Sequence, residues 1–167
     1  ASFTPTDDSI YEGNETGIVA ISTVSGGSAT EDGTQSVTIT ITENETAPVV
    51  NLSASANSIA ENSGSSITLT ATLNFATIID TDITISTSGT ASEGTDYGTV
   101  ADITISAGAT TGTATFTPTD DSVYEGNETA TITMASITGA DEGSTTSQTI
   151  TITDNESAPT VTLSSSA

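Results

Sequence analysis

The sequence predicts an all-β protein built from tandem antiparallel β-sandwich repeats of about 112 residues. Three observations predict it. Apolar residues recur at every second position in short runs, clusters of Gly, Ser, Asn and Asp separate those runs, and the back half of one unit recurs a domain's length later. The composition agrees. Hydrophobic residues make up 33% and aromatic residues 4% of the chain, and Thr, Ser and Gly fill much of the remainder. That mixture suits strands with polar outer faces and suits helices poorly.

The repeat sets the boundaries. Residues 3–16 align with 116–129, an offset of 113 (116 − 3), and residues 41–56 align with 152–167, an offset of 111 (152 − 41). The two-residue difference falls between these blocks, where an insertion belongs in a hairpin loop. Residues 1–46 are therefore expected to be the C-terminal half of one repeat, 47–156 a complete repeat, and 157–167 the first strand of the following one. "ASFTPTDD" opens like the middle of a longer polypeptide. Pro48 and Pro159 stand at the two equivalent joints, where a fixed φ makes a short, stiff connector.

Within the complete repeat the strands follow in order. "SITLTATL" alternates Ile67, Leu69, Ala71 and Leu73 with threonines, "TDITIS" supplies Ile83 and Ile85, and "ADITIS" supplies Ile103 and Ile105. "TATFTPT" (113–119) comes next, then "TITM" with Ile132 and Met134, and "SQTITIT" closes with Ile150 and Ile152. Each run reads as a strand with one buried and one wet face.

Charge narrows the function. The chain has 22 acidic residues and no Lys, Arg or His, a formal charge of −22. Nothing in it can replace counterions on a nucleic acid, and anionic membranes repel it. No apolar run approaches the roughly 18 residues of a membrane helix. Without cysteine there is neither a disulfide framework nor a thiolate site. An enzyme is not expected, since no His, Lys or Cys can act as base or nucleophile and the few aromatics cannot build a sugar cleft.

The acids are not evenly spread. Asp120, Asp121, Glu125 and Glu128 crowd into "TPTDDSVYEGNET", and Asp7, Asp8, Glu12 and Glu15 repeat the pattern in "TPTDDSIYEGNET". Asp154, Asn155 and Glu156 end the last strand, Glu61 follows "NSIA", and Asp96 lies in "EGTDYG". In a sandwich, strand ends meet at two poles, so these acids can converge. Two unit charges about 4 Å apart repel by roughly 4 kcal/mol at an effective dielectric near 20. With no basic side chain, a bound metal is one way to hold such a pole together; protonation and separation in water are the others. All-oxygen donors in flexible loops suit Ca2+ better than Zn2+, copper or Mg2+. Most of the remaining acids are read as solvated charge. Tyr11 and Tyr124, set among the acids, are expected to pack the loop against the sandwich end. Asp80 and Asp82 could join a site, though a turn at a strand start explains them equally well.

These residues also carry a resemblance. "GTASEGTDYG", "FTPTDDSVYEGNETATITM" and "TITDNE", in this order and spacing, resemble the Calx-beta repeat, a family that includes calcium-binding domains of sodium–calcium exchangers and repeats of large bacterial adhesins. The match covers 47–156 and the half repeat 1–46. It implies an Ig-like sandwich and Ca2+ bound by Glu61, Asp96, the paired Asp120 and Asp121, Glu125, Glu128 and the triplet Asp154, Asn155 and Glu156. In the half repeat the corresponding residues are Asp7, Asp8, Glu12, Glu15, Glu43 and Glu45, without partners for Glu61 and Asp96.

The expected function is a calcium-stiffened spacer in an extracellular, cell-surface adhesin or fibre. Its partners would be calcium ions and neighbouring repeats, or copies of the same protein, joined end to end. One alternative is a filament subunit completed by strand exchange between copies, and another is a recognition module that binds through a sheet face.

Overall fold

The computed structural model describes residues 2–33 and 35–165. Ala1, at the start of the expected half repeat, and Ser166 and Ala167, at the end of the expected terminal strand, lie outside the described residues. The chain forms β1 (Glu15–Ala20), β2 (Ser36–Ile41), β3 (Val49–Ala54), β4 (Ser58–Ala60), a 3-10 turn (Glu61–Ser63) and β5 (Ile67–Leu73). It continues with β6 (Thr81–Gly89), β7 (Ile103–Ile105), β8 (Thr111–Phe116), β9 (Glu128–Thr138), β10 (Asp141–Glu142) and β11 (Ser147–Thr153).

Two sheets face each other. One runs β10-β3-β5-β8, the other β4-β11-β9-β6-β7. Most neighbours are antiparallel, but β10 pairs β3 and β11 pairs β4 in parallel. The first strand of the sandwich thus changes sheets between Ala54 and Ser58, lying between β10 and β5 in one sheet and forming the β4 edge of the other. Between the sheets lies a core in which Val50, Leu52, Leu69, Ile83, Phe116 and Ile132 are almost wholly buried. The alternation predicted for β5 holds: Ile67, Leu69, Ala71 and Leu73 point inward and Thr68 and Thr72 outward. It breaks in β9, where the register against β6 skips Ala135 and the inward face passes from Met134 to Ile137. Opposite the skip, the Ile85 N–H is taken by the Asp102 carboxylate at 2.7 Å, and Ile85 is half-buried.

The repeat is visible in the hydrogen-bond register. Glu15 pairs with Ile41 and Ala20 with Ser36; their counterparts Glu128 and Thr133 pair with Ile152 and Ser147 in the same way. The length difference is confined to the loop beyond the pairing, as an insertion in a hairpin requires. The β1–β2 hairpin forms a separate two-stranded sheet whose Ile18 and Val37 are exposed. Residues 157–165 pair with no strand among the described residues, and Val161 and Leu163 are fully exposed, whereas their counterparts Val50 and Leu52 are core. Both segments are strand-like sequences with no second sheet to cover them.

Candidate metal centre

Six carboxylates reach one pole of the sandwich by separate routes. Glu61 opens the 3-10 turn after β4, a turn ended by Gly64 in the left-handed region at φ 63°. Asp154 and Glu156 follow β11, which pairs in parallel with β4 so that Thr153 stands beside Ala60; strand register alone brings them level with Glu61. Glu128 begins β9, and Glu125 lies in the loop before it. Asp96 is held from beneath. The neighbouring Tyr97 ring is buried against Phe116, with ring centroids 4.7 Å apart. The Thr119 N–H donates to the Asp96 carbonyl at 2.9 Å and the Gly98 N–H to that of Thr117 at 3.0 Å, tying the loop to the chain beyond β8.

The result is two triads, Glu61–Asp154–Glu156 and Asp96–Glu125–Glu128, with one carboxylate oxygen per residue inside 4.8 Å of the others. In the first triad Glu61 is only 9% exposed. Glu61 Oε1 and Glu156 Oε2 are buried without a hydrogen-bond partner. Two acceptors facing each other out of water must share either a proton or a cation. The adjacent Glu61 carboxylate, with which a proton would be shared, together with loss of water pushes Glu156 up to about 7. Loss of water and the adjacent Asp96 carboxylate raise Glu125 and Glu128 as well.

Asp154 has a second task besides its place in the triad. Its carboxylate accepts the N–H groups of Glu125 (2.7 Å), Gly126 and Glu156 (2.7 Å). Loss of water works upward on its pKa, but those amides outweigh it and lower the value. Glu43 repeats the clamp in the hairpin, accepting from Glu12, Gly13 (2.7 Å) and Glu45 (3.0 Å). The amide of Glu45 leads the bonds that pull Glu43 down to about 2. The clamp is backbone chemistry, so it needs no ion. Asp154→Ala is expected to release the loop before β9. A glutamate-specific protease should then cut at Glu125 and Glu128 faster than in the parent chain, in calcium as well as in chelator.

Not every expected ligand arrives. Asp120 and Asp121 are exposed and stand in neither triad, since the Asp121 carboxylate turns back to accept the Val123 N–H at 2.7 Å. Asn155 donates its side-chain amide to Glu156 at 2.7 Å and thus orients a triad member from outside. In the hairpin, Asp8 repeats the turn by accepting the Ile10 N–H at 2.8 Å, and Asp7 accepts from Asn44. Asp7, Asp8, Glu12, Glu15, Glu43 and Glu45 line one shallow pocket, yet no triad forms there among the described residues. Residues 1–46 have no counterparts of Glu61 and Asp96 to close it. Glu12 and Glu45 are raised, the first mainly by loss of water and the second mainly by its bond with Glu43.

The tyrosine expectation needs correction. Tyr124 is 46% exposed, and Tyr97 is the ring that anchors the pole. Its signal lay in the sequence, as an aromatic embedded in a Gly- and Asp-rich turn. Asp80 and Asp82 serve strand starts at the other end of β6, accepting from the Ala107 N–H and the Thr104 hydroxyl.

The Calx-beta domain sequence model matches residues 43–156. Among solved structures, the apo-form Calx CBD1 domain superposes with a TM-score of 0.52 at 20% identity, covering 64% of this chain and 97% of that one. CBD12 from CALX1.2 gives 0.55 at 20% identity, covering 64% and 45%. The calcium binding domain CBD12 of CALX1.1 gives 0.51 at 23% identity, covering 58% and 40%. At these identities the likeness is one of fold, and the chain spans less than half the length of either CBD12 structure. No curated protein matches.

Proposed function

The chain belongs to the Calx-beta domain family, and from that premise we propose that it is a calcium-binding structural unit that serves as an extended spacer in an extracellular, cell-surface adhesin or fibre. Calcium is the cation of that family and suits this donor set. The ligands are hard oxygens on loops, there is no imidazole or thiolate, and Ca2+ accepts six to eight oxygens in an adaptable shell. One observation carries the reading: the facing, partnerless oxygens of Glu61 and Glu156 in a chain with no basic side chain to satisfy them. Asp96, Glu125 and Glu128 offer a second position beside them. Calcium bound at both positions would offset four of the six negative charges and tie four connections together. The remaining organisation is proposed on the same footing: 1–46 the end of one unit, 47–156 a complete unit, 157–167 the start of another. The reading assigns the chain no catalytic role, in keeping with a sequence that has no His, Lys or Cys to serve as base or nucleophile.

Calorimetric titration of the whole chain tests the reading. Calcium should bind with a released proton near neutral pH, and magnesium should bind more weakly. Absence of heat with calcium would end it.

The pH dependence has a definite sign. A glutamate raised to about 7 in the fold binds its proton more tightly there than in the unfolded chain. Its stabilisation is present below the unfolded value and is lost as pH rises through about 7. In chelator the melting temperature should therefore be higher at about pH 5 than at about pH 8. Calcium should remove that decline.

A second reading, a filament subunit completed by strand exchange, is favoured by one observation. Val161 and Leu163 are bare where their counterparts fill the core. Light scattering of the purified chain separates the two, since a monomer at high concentration speaks against exchange.

A further inference from the structure

We propose that the loop between β5 and β6, residues 74–80, is a docking seat that sets the angle between successive units, and that the acidic turn of the preceding unit, residues 10–14, occupies it. The loop is braced. The Val49 N–H donates to Asn74 Oδ1 at 2.8 Å and the Asn74 N–H returns to the Val49 carbonyl at 3.1 Å. Buried Thr77 donates its hydroxyl to the Ile79 carbonyl at 2.7 Å and accepts the Gly108 N–H at 2.7 Å. Yet this rigid frame holds Phe75 and Ile78 in water, 41% and 50% exposed. Phe75 and Ile78 stay exposed with the turn of residues 10–14 in place, so the side of the loop that meets the turn is that of half-buried Ile79.

The chain contains its own control, because the same turn occurs twice. A Cβ placed on Gly13 would lie 3.7 Å from Ile79 Cδ1, whereas one on Gly126 would meet nothing within 4 Å. The turns are alike in shape, with φ of 77° and 79° at the two glycines, and each is held by the same backbone clamp, from Glu43 or Asp154. Tyr11 and Glu12 are nevertheless half-buried where Tyr124 and Glu125 are exposed. At Gly13 the neighbour that the second turn lacks is Ile79 of the following unit. Because the clamp uses amide hydrogens and no cation, the seat is held with or without calcium at the pole. It deepens the spacer reading, since an end-to-end array keeps its reach only if its joints keep their angle.

The chain lacks tryptophan, so single indoles report the seat directly. Full-length Tyr11→Trp and Tyr124→Trp variants are compared by acrylamide quenching in calcium and in chelator. The expected result is a shorter emission wavelength and weaker quenching for Tyr11→Trp in both media, with the difference erased by adding Ile79→Asp. Equal quenching of the two indoles, or a difference that survives Ile79→Asp, overturns the seat. A chain whose melting is indifferent to calcium while the indole difference stands would reject the calcium reading and leave the seat intact.

Discussion

Stripping calcium from this chain should lower its melting temperature by about 10 °C for each site emptied. A ligand present at a hundredfold excess over its Kd stabilises the folded state by about 2.7 kcal/mol per site. In a folded unit of about 110 residues each kcal/mol is worth roughly 4 °C. The pole offers few substitutes for the ion. Six carboxylates meet there, no Lys, Arg or His exists in the chain, and two of the oxygens are buried without partners. Without the ion the loops must either take up protons or part. Scanning calorimetry in calcium and in chelator reads the effect, and magnesium should restore only a fraction of it, because it holds its waters and demands a strict octahedron. Identical transitions in the two media would return these acids to ordinary solvated charge.

Glu61→Gln should move the melting temperature in opposite directions in the two media. Glu61 is the most enclosed acid of the pole, and in the ion-free state its Oε1 faces another carboxylate. An amide of the same shape removes one negative charge and supplies an N–H that Glu156 Oε2 can accept. In chelator the variant should therefore melt a few degrees above the parent. In calcium it lacks an anionic ligand and should melt below, with more than half of the calcium increment gone. Simple loss of packing cannot produce this crossing, because it would lower both curves together. Equal losses in both media would make Glu61 a structural residue only.

Much of this was legible in the residues. Period-two alternation located β5, β9 and β11, since a strand with one wet face writes its geometry directly into its side chains. The edges were not legible: β4 spans three residues and β10 two, too few to show any period, and both pair in parallel with strands distant in sequence. The bulge at Ala135 was also invisible, because it exists only in the register of β9 against β6, where the facing Ile85 N–H turns to Asp102 in the loop before β7. At the site, Glu61, Asp96, Glu125, Glu128, Asp154 and Glu156 could be placed at a pole from their positions at strand ends. Spacing gave no warning that the Asp121 carboxylate would cap its own turn, or that Asp154 would spend its oxygens on three backbone amides. Proximity in sequence sets which loop an acid belongs to; the direction of its side chain is decided by the nearest unpaired N–H.

The most direct measurement is a high-resolution crystal structure grown in calcium. The account predicts a strong density peak within about 2.3–2.6 Å of oxygens from Glu61, Asp154 and Glu156, and a second among Asp96, Glu125 and Glu128. Carboxylates turned outward to water, with no peak between them, would contradict it.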